Sequence, residues 1–123
     1  QDLGAAVLRA IQARNALDTA RVDDIVWSCS QQRGKQGGDL GRLSALWAGY
    51  DNQASGVTLD RFCGGGITSV GFAAGQIMAG FEDVVIAGGT VLTGAVFTAT
   101  SAVETVVGPA SFFPVTWQTI FAP

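Results

Sequence analysis

The sequence predicts an α/β fold in which helices cover a mixed, mainly parallel sheet. Three observations support this class. Helical and strand-like patterns alternate along the 123 residues; residues 83–89 (DVVIAGG) form an apolar run of the kind that is buried on both faces of a parallel sheet; and the chain is 48% hydrophobic and 14% charged, as globular domains are. Alternation of helix and strand is the mark of a layered α/β domain.

The first fifty residues predict two helices and one strand. In residues 2–15 the apolar side chains recur at helical spacing, which predicts an amphipathic helix. Residues 25–29 (IVWSC) are β-branched and aromatic and favour a strand. A glycine-rich break at 34–38 separates this strand from a second predicted helix at 39–50, whose apolar face contains Leu40, Leu43 and Trp47.

The third unit predicts a strand at 56–60, a sharp turn at 63–66 and a helix at 67–80 that stops at Gly80. The expected buried face of this helix is Ile67, Val70, Ala74, Ile77 and Met78.

After residue 90 the pattern becomes ambiguous. Glu104 is the only charged side chain beyond Asp83, and residues 91–107 fit one or two strands or a buried helix. Three prolines predict an irregular end. We therefore divide the chain into a domain at 1–90 and a divergent, low-charge segment at 91–123.

Composition argues against several classes of function. The net charge is −3, and no run of Lys or Arg is present to bind successive phosphates, so nucleic acid is not an expected partner. No uninterrupted apolar segment has the length of a membrane span, and Gln1 is not followed by a basic leader. We expect a soluble, cytoplasmic protein with two free thiols, Cys29 and Cys63.

The chain contains no histidine. This excludes a Ser-His-Asp triad, a Cys-His pair and an imidazole-bound zinc within these residues, and we expect no metal site.

Cys63 is the candidate nucleophile. The order strand, Cys63, Gly64, Gly65, Gly66, helix places the sulfur at a helix N-terminus, where free N–H groups and the helix dipole favour a thiolate. Glycines let a thioester approach the backbone, and an N–H beside the sulfur can serve as an oxyanion donor.

The residues around Cys63 allow two other interpretations. A cysteine at a strand end is commonly a small buried hydrophobe, which is the interpretation we retain for Cys29. The glycines also resemble a dinucleotide-binding loop, but Ser69 stands where the last glycine of G-x-G-x-x-G belongs, and Asp83 precedes a strand where an acid should follow one.

Residues 57–66 (VTLDRFCGGG) resemble the strand and nucleophile elbow of thiolases. Residues 73–80 and 83–90 are similar to the helix and strand that follow in that family, and residues 33–38 and 42–46 are similar to the segment before the elbow. The similarity runs from residue 1 to residue 90 in the family's order and spacing.

The resemblance implies a five-stranded mixed sheet and two such halves in one chain. It implies that Cys63 attacks a 3-ketoacyl-CoA, that acetyl-CoA leaves, and that the acyl group passes to a second CoA, or the reverse condensation. No cofactor beyond coenzyme A is implied. Dimers or tetramers are implied, with residues 57–62 near the subunit interface.

The chain also departs from the family. The resemblance places a first strand upstream of Gln1, so we expect a sheet without its central member, an unpaired edge and poor folding in isolation. Residues 91–94 (VLTG) differ from the family's pattern. The family's histidine, its Asn-Glu-Ala-Phe segment and its second cysteine belong to a C-terminal half outside the 123 residues.

Three functions remain in competition. The first is a thiolase-class acyltransferase that is inactive until a C-terminal half or second subunit completes it. The second is a non-catalytic scaffold or dimerisation module. A ketoacyl synthase fits less well, because that family usually carries Ala-Cys at the elbow. Turnover by the chain alone would require another base, for which the candidates are Asp60, Glu82 and Asp83.

Overall fold

The computed structural model describes residues 1–90, 101–107 and 118–121. It contains the helices α1 (Asp2–Asn15), α2 (Leu40–Ala48) and α3 (Gly65–Ala79). Its strands are β1 (Asp24–Cys29), β2 (Val57–Leu59), β3 (Val85–Thr90), β4 (Ser101–Val107) and β5 (Gln118–Phe121). Short 3-10 turns lie at Thr19–Arg21, Gly34–Gln36 and Phe62–Gly64. The helices and strands expected for residues 1–90 are confirmed, with ends that differ by a few residues.

The strands form one five-stranded mixed sheet in the order β2-β1-β3-β4-β5. β1 is parallel to both β2 and β3, whereas β4 is antiparallel to β3 and to β5. The α/β class expected from the sequence is confirmed. Within the ambiguous tail, residues 101–107 are a strand, and residues 91–100 lie outside the described part of the chain.

The expectation of an unpaired edge in the middle of the sheet is wrong. β1 pairs directly with β3 at all six positions, from Asp24 opposite Val85 to Cys29 opposite Thr90. Both strands are almost wholly buried, so their backbone N–H and C=O groups need hydrogen-bond partners. Along the side where β1 and β3 meet, the backbone groups of each strand bond to the other strand. An unpaired edge in the middle of the sheet is therefore no reason to expect poor folding of the isolated chain.

Alternation along β1 divides the core between two faces of the sheet. Ile25, Trp27 and Cys29 belong to a cluster with α1 and α2. Val26 belongs to a smaller cluster with Ala73 of α3 and with Val85 and Ala87 of β3. The sheet is therefore a middle layer, with α1 and α2 on one side and α3 on the other.

The expected buried face of α3 is partly wrong. Val70 and Ile77 pack against the sheet as expected, but Ile67 is 85% exposed and Met78 is 88% exposed. The buried positions are instead Gly65, Ser69 and Ala73, which recur every four residues. Small residues at that spacing bring the helix close to the sheet, and this turns the larger apolar side chains outward. Hydrophobic periodicity could not show this, because nearly every side of the helix is apolar.

α3 carries apolar side chains on its outward face as well as on its buried face. Among the described residues, 62–79 form one helical stretch that is long and apolar enough to cross a membrane by those criteria alone. Core helices of soluble proteins meet the same criteria, so the stretch is weak evidence for a membrane span.

The start of α2 is tied to β2 by a small polar network. One carboxylate oxygen of Asp39 accepts hydrogen bonds from the N–H of Arg42 at 3.1 Å and from the hydroxyl of Thr58 at 2.7 Å. Thr58 in turn accepts the N–H of Gly41 at 3.0 Å. Asp39 is thus both the N-cap of the helix and its link to the strand that leads to Cys63.

We predict that Asp39→Ala lowers the free energy of unfolding by about 1 kcal/mol or more, because an N-cap and a partner of Thr58 are lost together. Asp39→Asn should recover most of this, since its amide oxygen can accept the same bonds. Urea denaturation of the three proteins measures the difference. An Asn variant as unstable as the Ala variant would show that the negative charge, and not the cap, is what matters.

Candidate active site

Cys63 lies at the carboxyl edge of the parallel strands. It follows β2, sits in the 3-10 turn Phe62–Gly64 and is exposed. α3 begins two residues later, at Gly65. This edge is where open α/β sheets bind ligands. The turn and helix start expected from the sequence are present, and the sulfur is reachable from solvent.

The three glycines after Cys63 have different surroundings. A Cβ built on Gly64 or Gly66 would meet no atom within 4 Å. A Cβ on Gly65 would lie 1.7 Å from Oγ and 2.8 Å from Cβ of Ser28. Gly64 and Gly66 therefore leave space at the elbow for a ligand, whereas Gly65 lets the helix approach β1.

Ser28 was not among the residues singled out from the sequence. It is 2% exposed and lies opposite Leu59 of β2 and Gly89 of β3. A Cβ on Gly89 would lie 2.9 Å from the Cβ of Ser28, so glycine flanks this serine from β3 as well. The contact joins residues far apart in sequence, and no local pattern signals it.

A strained backbone position precedes Cys63. Phe62 has a φ of 45°, in the left-handed region that non-glycine residues seldom adopt. Its N–H donates to a carboxylate oxygen of Asp60 at 3.1 Å. Asp60 appeared in the sequence only as a candidate base, although an Asp two residues before a bend is a recognised turn former.

The amides around the sulfur are largely engaged. The N–H of Gly64 donates to the carbonyl of Arg61 at 3.0 Å, and the N–H of Gly65 donates to the carbonyl of Phe62. On the helix side, the guanidinium of Arg61 donates to the hydroxyl of Thr68, which donates to the carbonyl of Gly64, each at 3.2 Å. The elbow is thus closed by bonds across its own turn.

The other cysteine occupies a different environment. Cys29 is 0% exposed, and its Sγ donates to the carbonyl of Gln31 at 3.4 Å and to the side-chain oxygen of Gln36 at 3.5 Å. Both cysteines are free. Cys29 is therefore a core residue, as its place in an apolar strand indicated.

Glu82 and Asp83 lie away from the elbow. Both precede β3 and are at the amino edge of the parallel strands, whereas Cys63 is at the carboxyl edge. Partial burial raises the pKa of Glu82, and the negative charges of Asp23, Asp24 and Asp83 raise it further. Of the three candidate bases, only Asp60 is near Cys63.

The described residues hold no group of three or more His, Cys, Asp or Glu side chains suited to a metal. A cavity of about 460 Å³ lies between the start of α1, Lys35, Gln36 and Thr90 at the end of β3. Cys63 does not line it.

The family model described as thiolase, N-terminal domain, matches residues 1–105. The chain belongs to the thiolase family.

Individual thiolases agree over most of the described region. The chain is 44% identical over 88 residues to a steroid 3-ketoacyl-CoA thiolase of Mycobacterium tuberculosis. It is 42% identical over 89 residues both to a 3-oxoadipyl-CoA/3-oxo-5,6-dehydrosuberyl-CoA thiolase of Escherichia coli and to a 3-ketoacyl-CoA thiolase of Saccharophagus degradans. Each match covers 72% of this chain and 22% or 23% of the relative. The chain thus spans under a quarter of the length of these thiolases.

We predict that Gly65→Ala destabilises this thiolase domain by roughly 1–3 kcal/mol, because the new methyl group overlaps Ser28. Gly66→Ala, the matched control one residue on, should be neutral or stabilising by up to about 1 kcal/mol. Urea denaturation compares the two. Adding Ser28→Gly should restore stability to the Gly65 variant, and equal stability of the two single variants would contradict the contact.

We also predict that iodoacetamide alkylates Cys63 at least about tenfold faster than Cys29 near neutral pH, since only Cys63 is both exposed and at the start of a helix. Mass spectrometry of peptides from partly labelled, folded protein measures both rates. Comparable rates would mean that the elbow is not exposed in solution or that the strand around Cys29 opens readily.

Proposed function

We propose that this chain supplies the nucleophile of a thiolase-class acyltransferase. The observation that carries the proposal is the exposed Cys63 at the start of α3, with open space beside Gly64 and Gly66. Membership of the thiolase family supports it. We assign the role to residues 1–90, which contain the elbow.

In the proposed reaction, the thiolate of Cys63 attacks the 3-keto carbon of a 3-ketoacyl-CoA. A thioester bond forms to sulfur and the bond between C2 and C3 breaks, leaving its electron pair on the acetyl-CoA carbon, which takes a proton. The thiol of a second CoA then loses a proton and displaces Cys63 from the acyl group. One coenzyme A thioester and one free coenzyme A are the other reactants, and the steps balance without a metal or redox cofactor.

The backbone contributes to this chemistry in a specific way. The amides of Phe62, Gly64 and Gly65 donate to Asp60, Arg61 and Phe62. We therefore assign the N–H of Cys63 itself as the donor to the thioester oxygen on this side of the site. A preorganised amide of this kind stabilises charge that develops on oxygen.

The proton transfers need groups that this chain does not provide. It has no histidine, Glu82 and Asp83 lie at the far edge of the sheet, and the carboxylate of Asp60 accepts the N–H of Phe62. We propose that the acid and base come from a C-terminal half or a second subunit. α3 exposes the large apolar side chains Ile67, Phe72 and Met78, and we propose that this second protein surface covers part of them.

The proposal extends to assembly and location. Among the described strands, β2 pairs only with β1 and is an edge of the sheet, which supports residues 57–62 as a subunit interface in a homodimer or tetramer. Two free thiols suit a reducing compartment, and we propose the cytoplasm.

We predict that the intact protein forms an acyl-enzyme at Cys63 when it is mixed with acetoacetyl-CoA. Cys63→Ser should abolish the adduct while preserving the fold, because the side chains are close in volume. Cys29→Ala is the control and should retain the adduct. The 123-residue chain alone should not turn over the substrate, since each missing acid, base or oxyanion donor typically contributes about 100- to 1,000-fold.

Trapping followed by peptide mass spectrometry locates the adduct, and loss of acetoacetyl-CoA absorbance measures turnover. Acylation of the Cys63→Ser protein at the normal rate would assign the nucleophile elsewhere. A folded intact protein with no acyl-enzyme and no turnover would favour the non-catalytic module.

A further inference from the structure

The residue before the nucleophile is held in a conformation that its side chain disfavours. Phe62 has a φ of 45°, one of two positive values among the non-glycine residues of the described part of the chain. Left-handed backbone at a bulky residue persists only where surrounding bonds enforce it. Its side chain is 74% exposed, so packing of the ring within the chain does not enforce it.

A side-chain hydrogen bond to the backbone of Phe62 comes from Asp60. Its carboxylate accepts the N–H of Phe62 at 3.1 Å and so closes a turn over residues 60–62. This turn carries the chain from the end of β2, at Leu59, into the 3-10 turn that contains Cys63. Without this hydrogen bond, Phe62 can relax to negative φ. That relaxation changes the direction in which the side chain of Cys63 leaves the backbone.

We propose that Asp60 is a positioning residue that holds Phe62 in left-handed backbone and thereby aims Cys63 at the start of α3. The inference deepens the proposed function and rests on the role of Cys63 as nucleophile. Asp60 acts through the peptide unit of Phe62 and does not touch the reacting atoms. A neutral acceptor of the same shape performs the same task.

The chain offers a matched control for the loss of such a bond. Asp51 accepts the N–H of Gln53 at 2.8 Å, the same two-residue turn, in the connection between α2 and β2. Gln53 is not at positive φ, and the connection does not lead directly to the elbow. Asp51→Ala therefore removes an equivalent bond without the same consequence for Cys63.

The test measures alkylation of Cys63 by iodoacetamide in the intact protein, together with the thermal midpoint of each variant. Asp60→Ala should slow alkylation by roughly tenfold, because the sulfur is no longer held at the start of α3, where free N–H groups and the helix dipole favour the reactive thiolate. Asp60→Asn should stay within about twofold of the parent, since its amide oxygen accepts the same bond. The alkylation rate of Cys63 in Asp51→Ala should also stay within about twofold of the parent. This variant therefore separates an effect at the elbow from a general effect of losing one such turn.

A second substitution tests the route through Phe62. Glycine adopts positive φ without cost, so in a Phe62→Gly background Asp60→Ala should slow alkylation by less than about threefold. An unchanged tenfold loss in that background would overturn the proposal. An Asn variant as slow as the Ala variant would overturn it as well, because it would assign the effect to charge or proton transfer.

The same variants keep this inference distinct from the proposed function. Alkylation of Cys63 needs no coenzyme A, so it reports on the elbow even when no acyl-enzyme forms. If acylation occurs, kcat should fall in Asp60→Ala with little change in KM, and Asp60→Asn should restore it. Loss of acylation in the parent with retained Asp60 dependence of alkylation would refute the function and leave the positioning role standing.

Discussion

The place where α3 meets the sheet depends on the contact between Gly65 and Ser28. There is no room for a Cβ at Gly65, and this lets the first turn of the helix lie directly against β1. Because Gly65 follows Cys63 by two residues, that contact also sets the height of the sulfur above the carboxyl edge of the strands. The small residues Ser69 and Ala73 continue the approach one and two turns later. The orientation of the whole helix, and the exposure of its outer face, follow from this line of small side chains.

Two constraints act on the elbow from opposite sides. On the helix side, Gly65 fixes the start of α3 against the sheet. On the strand side, Asp60 holds the left-handed backbone of Phe62. Cys63 is between them and is exposed, so its position is determined by its neighbours and not by burial of its own side chain. Such an arrangement leaves the sulfur accessible and still well oriented.

The apolar outer face of α3 results from how the opposite side of the helix packs. Burying Ile67 or Met78 against the sheet would require the helix to turn, and the close contacts at Gly65 and Ser69 do not permit that. The face is therefore a consequence of packing on the other side of the helix. An exposed apolar face suits a domain that spans under a quarter of the length of its thiolase relatives. In our proposal, another protein surface completes the site of this domain.

The order of helices and strands in residues 1–90 could be predicted from the sequence, because periodicity, glycines and β-branched runs are local signals. The elbow could be predicted as well, since Cys63 between a strand and three glycines is a local pattern and resembles a known family. The buried face of α3 could not, since most of that helix is apolar and its sides are distinguished by packing against the sheet, beginning with Gly65 on Ser28. The direct pairing of β1 with β3 also depends on the tertiary structure, because it joins backbones 61 residues apart in sequence, such as Asp24 and Val85, and leaves no mark on either segment alone.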